Sequence, residues 1–196
     1  MRYAELARRV RGQIGQRHRY AHTVRVARLA ETLACIHGES AQRARLAGML
    51  HDLARLYPAA RLLEECERRD IPRDAFALAH PIVLHAPLGA ELARELFGIT
   101  DQAVLSAIAK HTLGDAAMAR LDAIVYLADA LEPGRDYPER EALLALAARD
   151  LDAAMRASLT ASCEHLRARG ETVAPQTLAA IAFYTTQSRN GGPQAA

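Results

Sequence analysis

Five ionisable side chains stand on helix faces that should be apolar. His22 shares a stripe with Val26, Leu29 and Leu33, the spacing of one face of an α-helix. His51-Asp52 follows Leu46-Ala47-Gly48-Met49-Leu50 and precedes Leu53. His111 lies over Val104, Ala107 and Ile108, and Asp129 sits one turn beyond Val125 in an apolar run from Ile124 to Ala130. A lone core histidine has a plain reading as a hydrogen-bonded packing residue, and a lone buried aspartate as a helix cap or a partner of arginine. Together His22, His51, Asp52 and Asp129 offer two imidazoles and two carboxylates from three core-facing segments. Left unpaired, a carboxylate in such a setting costs several kcal/mol. Brought together, the four make a mixed nitrogen/oxygen site with positions open for water and substrate. That donor set suits iron, manganese, cobalt or magnesium better than a closed structural zinc site.

These residues need helices to carry them, and the period of the chain is helical nearly throughout. Apolar residues recur at three and four, alanine is abundant and β-branched runs are short. The pattern predicts helices at roughly 2–14, 20–36, 41–54, 58–69, 87–97, 101–111, 118–131, 139–147, 150–169 and 176–187. Gly38, Gly98 and Pro133-Gly134 read as stops, Pro58 and Pro87 as first-turn residues, and Pro72 as part of a turn. The small residues Ala44, Ala47 and Gly48 allow a close helix crossing just before the His51-Asp52 doublet. The expectation is a single all-α domain over residues 1–189, too uneven for a simple four-helix bundle, with a disordered tail at 190–196.

Composition excludes several classes. With one lysine, Lys110, the remaining 24 of the 25 basic residues are arginine; against 23 acids they leave a net charge of only +2. No lopsided basic face for nucleic acid is expected from that balance. No apolar stretch is long enough for a membrane span, and Met1-Arg2-Tyr3-Ala4-Glu5 lacks an apolar signal core, so a cytoplasmic location is expected. Cys35, Cys66 and Cys163 form no CxxC pair and read as reduced thiols. Of the other histidines, His37 reads as a helix C-terminal residue, and His18 and His165 as solvated.

The order of an early His, a His-Asp doublet and a late Asp resembles that of the HD superfamily of metal-dependent phosphohydrolases. Longer blocks narrow the resemblance: Arg19-Tyr20-Ala21-His22-Thr23, Ala47 to Ala54, Leu84-His85-Ala86-Pro87-Leu88-Gly89-Ala90, Ala107 to Gly114, and Ile124 to Arg135 with its Glu132-Pro133-Gly134-Arg135 ending. Together they are similar to the YqeK-type HD hydrolases, which cleave diadenosine tetraphosphate symmetrically into two ADP. The resemblance runs from about residue 17 to 180 and implies the same all-α fold.

By that resemblance His22, His51, Asp52 and Asp129 hold one divalent metal, iron first, with manganese, cobalt or magnesium as alternatives. Asp52 and His111 are the catalytic candidates. The substrate-lining positions are His22, Asp52, Leu53, Ala54, Arg55, His85, His111, Thr112, Asp129, Arg135 and the segment Thr172, Val173, Ala174, Pro175, Gln176, with Arg19 a weaker phosphate candidate. His80 could join Asp52, His85 and His111 around a second metal, but the family pattern needs only one. Two positions depart from the pattern: Arg55 stands where the family usually has Lys, and Ala174 replaces a His. The implied partners are the dinucleoside tetraphosphate and its ADP product, with no nucleic acid and no membrane; a homodimer is left open. The alternatives are another HD nucleotide phosphohydrolase, acting on mono- or triphosphates, or a non-catalytic nucleotide-binding regulator.

Overall fold

The computed structural model describes residues 3–190, and these are helical with no strand among them. The α-helices are α1 (Tyr3–Ile14), α2 (Arg17–Ile36), α3 (Ala41–Leu50), α4 (Ala59–Arg68), α5 (Ala75–Ala79), α6 (His85–Phe97), α7 (Gln102–Lys110), α8 (Arg120–Leu131), α9 (Arg140–Ala147), α10 (Leu151–Ala168) and α11 (Pro175–Asn190), with a 3-10 turn at Pro81–Leu84. No helix among the described residues is long and apolar enough to cross a membrane.

Local chemistry explains most boundaries. Ser40, Asp74, Asp101 and Asp150 each accept a backbone N–H at the start of α3, α5, α7 and α10, from Arg43, Ala77, Ala103 and Ala153 respectively, which satisfies donors that a helix leaves open. Gly98 ends α6 at φ +68, a conformation that glycine adopts without a Cβ penalty.

The centre of the molecule is the packing of α2, α3, α7 and α8. Helix α2 lies against α3 and α8, while α7 touches α3, α6 and α8, and α10 covers α8, α9 and α11. Val26, Ala27, Leu50, Ile108, Ile124 and Leu127 are fully buried in one apolar cluster there. The crossing of α2 and α3 is unusually close. A Cβ built on Gly48 would lie 2.8 Å from the Cα of Ala27, so only glycine fits. Gly12, within α1, has open space where its Cβ would be. Gly12→Ala is therefore expected to stabilise the protein by about 0.5–1 kcal/mol, read as a raised midpoint in thermal or urea unfolding.

Four expectations are corrected. Helix α3 stops at Leu50 instead of running to 54, because the chain tightens into bonds from Leu53 N–H to Leu50 O and Arg55 N–H to Asp52 O. The His51-Asp52 doublet thus sits on a turn and not within a helix. Pro58 is the residue before α4 and not its first turn, since its extended ψ of 153 lies outside the helical region. Helix α5 and the 3-10 turn replace an expected link, nucleated by the Asp74 cap. The last helix continues to Asn190, where a tail was expected to begin; the rest of that tail, 191–196, lies outside the described residues, as does the start of the first helix at residue 2.

Candidate metal centre

Six side chains reach the centre from five elements. His22 comes from α2, His51 and Asp52 from the turn after α3, and His85 from the first residue of α6. His111 follows the last residue of α7, and Asp129 lies in the last turn of α8. Nε2 of His22 lies 3.0 Å from Asp129 Oδ1 and 3.6 Å from Asp52 Oδ2. Nε2 of His51 lies 3.3 Å from Asp52 Oδ2 and 3.9 Å from Asp129 Oδ1. The other Asp52 oxygen faces His85 Nε2 at 3.6 Å and His111 Nε2 at 4.0 Å. Two groups have ligand atoms close enough to share an ion: His22, His51 and Asp129, and His51, Asp52 and His111.

The far nitrogen of each ring sets which way its lone pair points. Nδ1 of His51 is 2.7 Å from Gly48 O, that of His85 2.5 Å from Ile82 O, and that of His111 2.7 Å from Ile108 O. A carbonyl only accepts, so Nδ1 is the donor in these rings. In their neutral form Nε2 then carries a lone pair aimed at the common centre. In His22, Nδ1 pairs with Glu132 Oε1 at 2.9 Å. The Nε2 atoms of His22 and His51 are buried and have no hydrogen-bond partner. Lone pairs converging on two carboxylates repel unless a cation or a proton lies among them. This donor set therefore fits a divalent metal.

The electrostatics without a metal point the same way. Burial pushes the His51 imidazole down, but Asp52 and Asp129 outweigh it and raise its pKa to about 9. Burial alone would raise Asp52, yet His51, His111 and His85 hold it well below the usual carboxylate range. Asp129 is likewise held down against burial, by the adjoining His22 ring, by His51 and by Arg135. His111 falls to about 3 through burial and the neighbouring His51 and His85. A cation bound at His51 Nε2 would compete with a proton for that nitrogen, so metal binding there would release protons.

Outside this core lies a cavity of about 290 Å³. Arg19, Arg55, Arg135, His85, His111 and Thr112 line it, with Asp52 and Asp129 at its floor and Ile82, Tyr126, Ala130 and Ser162 completing the wall. Arg19 Nη1 donates to Asp52 Oδ2 at 3.0 Å, and Arg135 donates to the Asp129 carboxylate at 2.6 Å and to its carbonyl at 3.0 Å. Thr112 Oγ1 is 3.2 Å from Nε2 of both His85 and His111. Three guanidinium groups around one opening suit a polyanion.

Not every expected contact lies here. Leu53 and Ala54 are core residues, 2% and 0% exposed, and do not line the cavity. The 172–176 segment packs elsewhere. Gln176 donates to Gly114 O and Thr177 to Leu113 O, Ala174 is buried, and Thr172, Val173 and Pro175 do not border the opening. His80 stacks on Phe76, centroids 4.5 Å apart, outside the cluster. Lys110 turns away from the centre to pair with buried Asp122 at 3.2 Å. His37 caps the end of α2, its Nε2 2.7 Å from Ala147 O. Sequence reasoning missed Glu132 and Arg25, and the cavity residues Tyr126, Ile82 and Ser162. The signal for Glu132 was available: three residues after Asp129, it lies on the same helical face.

A family model described as HD domain matches residues 19–134, and the chain belongs to the HD-domain family. Within it, the chain is 36% identical over 167 residues to a symmetrical bis(5'-nucleosyl)-tetraphosphatase of Halalkalibacterium halodurans, covering 83% of this chain and 86% of that one. It is 35% identical over 161 residues to the protein of the same name from Bacillus subtilis, covering 82% and 86%. A solved structure from Clostridium acetobutylicum, described as a predicted HD superfamily hydrolase involved in NAD metabolism, superposes with a TM-score of 0.91 at 29% identity, over 95% of this chain and 98% of that one.

Proposed function

We propose that this chain is a metal-dependent hydrolase that splits diadenosine tetraphosphate between its two central phosphorus atoms, giving two ADP. The observation that carries the reading is the cluster of inward-facing Nε2 atoms and carboxylates at the floor of an arginine-lined cavity. The relatives named as symmetrical tetraphosphatases point to the substrate. One divalent ion, iron by preference, would be held by His22, His51, Asp52 and Asp129. When bound, it supplies Lewis-acid polarisation of a phosphoryl oxygen and a lowered pKa for water.

The protein's own groups do the rest. Arg135 and Arg55, with Arg19, hold the phosphate bridge through charge-assisted hydrogen bonds. His111, unprotonated at neutral pH, accepts a hydrogen bond from the attacking water at Nε2, and Thr112 fixes the neighbouring oxygen. Asp52 stands between the imidazoles, one oxygen towards His22 and His51 and the other towards His85 and His111. Water adds to one central phosphorus as its proton passes to His111 Nε2, the bond from that phosphorus to the oxygen shared by the two central phosphorus atoms breaks, and ADP leaves with its charge held by the arginines. The chain is read as a single domain over 1–189 acting in the cytoplasm without nucleic acid. Incubating metal-loaded protein with diadenosine tetraphosphate should yield ADP as the sole nucleotide product. ATP plus AMP would overturn the symmetric assignment.

A further inference from the structure

Glu132 is 1% exposed, and both of its carboxylate oxygens are fully engaged. Oε1 accepts from His22 Nδ1 at 2.9 Å and from Arg25 Nη2 at 3.0 Å. Oε2 accepts from Arg25 Nε and from the backbone N–H of Gly134, the latter at 2.6 Å. A buried carboxylate held by a guanidinium fork and a main-chain donor stays charged, and a charged carboxylate can only accept. Its neighbour His22 must then donate from Nδ1, and in the neutral ring the lone pair is then on Nε2. The other three rings at the centre are held by backbone carbonyls. His22 is the one ring of these four whose Nδ1 partner is a side chain.

We infer that Glu132, clamped by Arg25 and Gly134, is a positioning residue: it locks His22 in the tautomer that presents Nε2 to the metal and makes that nitrogen a stronger donor. The arrangement is a carboxylate–histidine pair behind a ligand, of the kind that tunes metal affinity from outside the coordination shell. The inference rests on the reading of His22 as a ligand. It also accounts for the Glu132-Pro133-Gly134 sequence at the end of α8. Pro133 and Gly134 turn the chain so that the Gly134 N–H returns to the carboxylate just ahead of it.

Glutamine in place of Glu132 keeps the shape but can turn its amide to donate towards Nδ1, which favours the Nε2–H tautomer. In metal-free protein, 15N-edited NMR of the imidazole should find His22 as the Nδ1–H form in the wild type and a substantial Nε2–H population in Glu132→Gln. Mn2+ titrated into the same protein should bind about 10–100-fold more weakly in Glu132→Gln, and Arg25→Gln should shift in the same direction by less. Circular dichroism melts of the metal-free proteins separate this effect from a lost helix end. If both variants bind Mn2+ within about twofold of wild type and His22 keeps its tautomer, while His22→Ala loses the metal, the positioning role is overturned. If His22→Ala itself binds Mn2+ like the wild type, the ligand assignment fails as well.

Discussion

Asp52→Asn is expected to lose divalent metal and hydrolysis of diadenosine tetraphosphate together, with kcat/KM down by a factor of about 10³ or more, ~4 kcal/mol of transition-state stabilisation. The reason is position. One Asp52 oxygen faces His22, His51 and Arg19, and the other faces His85 and His111. Asparagine has the same shape, so the fold should survive, but a neutral amide cannot balance a divalent cation. Its NH2 group would also donate to the ring lone pairs that the metal needs. Metal content by elemental analysis and product formation by chromatography check both halves. Full metal retention with lost activity would restrict Asp52 to a catalytic role; retention of both would refute the site.

The same variant carries a pH signature in metal-free protein. His51, raised to about 9 from an ordinary 6.5, contributes stability that is fully present below pH 6.5 and lost as pH rises through 9. Thermal midpoints of the metal-free wild type should fall across that interval. In Asp52→Asn the fall should shrink, because the leading attraction that raises the His51 pKa is gone.

Gly48→Ala is expected to cost about 1–3 kcal/mol of stability, a drop of several degrees in Tm for a chain of this size. The added methyl would press on the α2 backbone, with 2.8 Å to Ala27 Cα and 3.1 Å to Ala27 N. Backbone cannot rotate away as a side chain can, so the helices must part. Parting them also moves the carbonyl of Gly48, which accepts from His51 Nδ1, and separates His22 on α2 from His51 beyond α3. Activity should therefore fall further than stability alone predicts. The loss should persist at temperatures well below the lowered Tm, measured as kcat/KM at saturating metal. An unchanged Tm would mean that the crossing is looser than its geometry requires.

Long periodic segments made the helical architecture readable before any coordinates. His22, His51, Asp52 and Asp129 were readable for a related reason: a charged or imidazole side chain on an apolar face breaks the period. The end of α3 was not readable, because the apolar pattern continues through Leu53 and Ala54 while the backbone has already left the helix. Those two residues are buried by the turn itself, which is why they pack inward and do not meet the cavity. Helix α5 and the 3-10 turn are too short to show a period at all. The pairs of Arg19 with Asp52 and Arg25 with Glu132 join residues far apart in the chain, and spacing carries no information about them. Glu132 is the instructive miss, since its place on the Asp129 face was visible while its partner on α2 was not.

The arginine–aspartate pairs at the cavity floor have a thermodynamic consequence. Without a cation, Arg135 is committed to Asp129 and Arg19 to Asp52, so two of the three guanidinium groups at the opening are already paired with carboxylates. A metal that took over the two carboxylates would free both guanidinium groups for anions. By linkage, phosphate drawn to those arginines would also release the carboxylates and tighten the hold on the metal by the same factor. Cation and nucleotide would then be mutual effectors, each raising the other's affinity by way of two ion pairs.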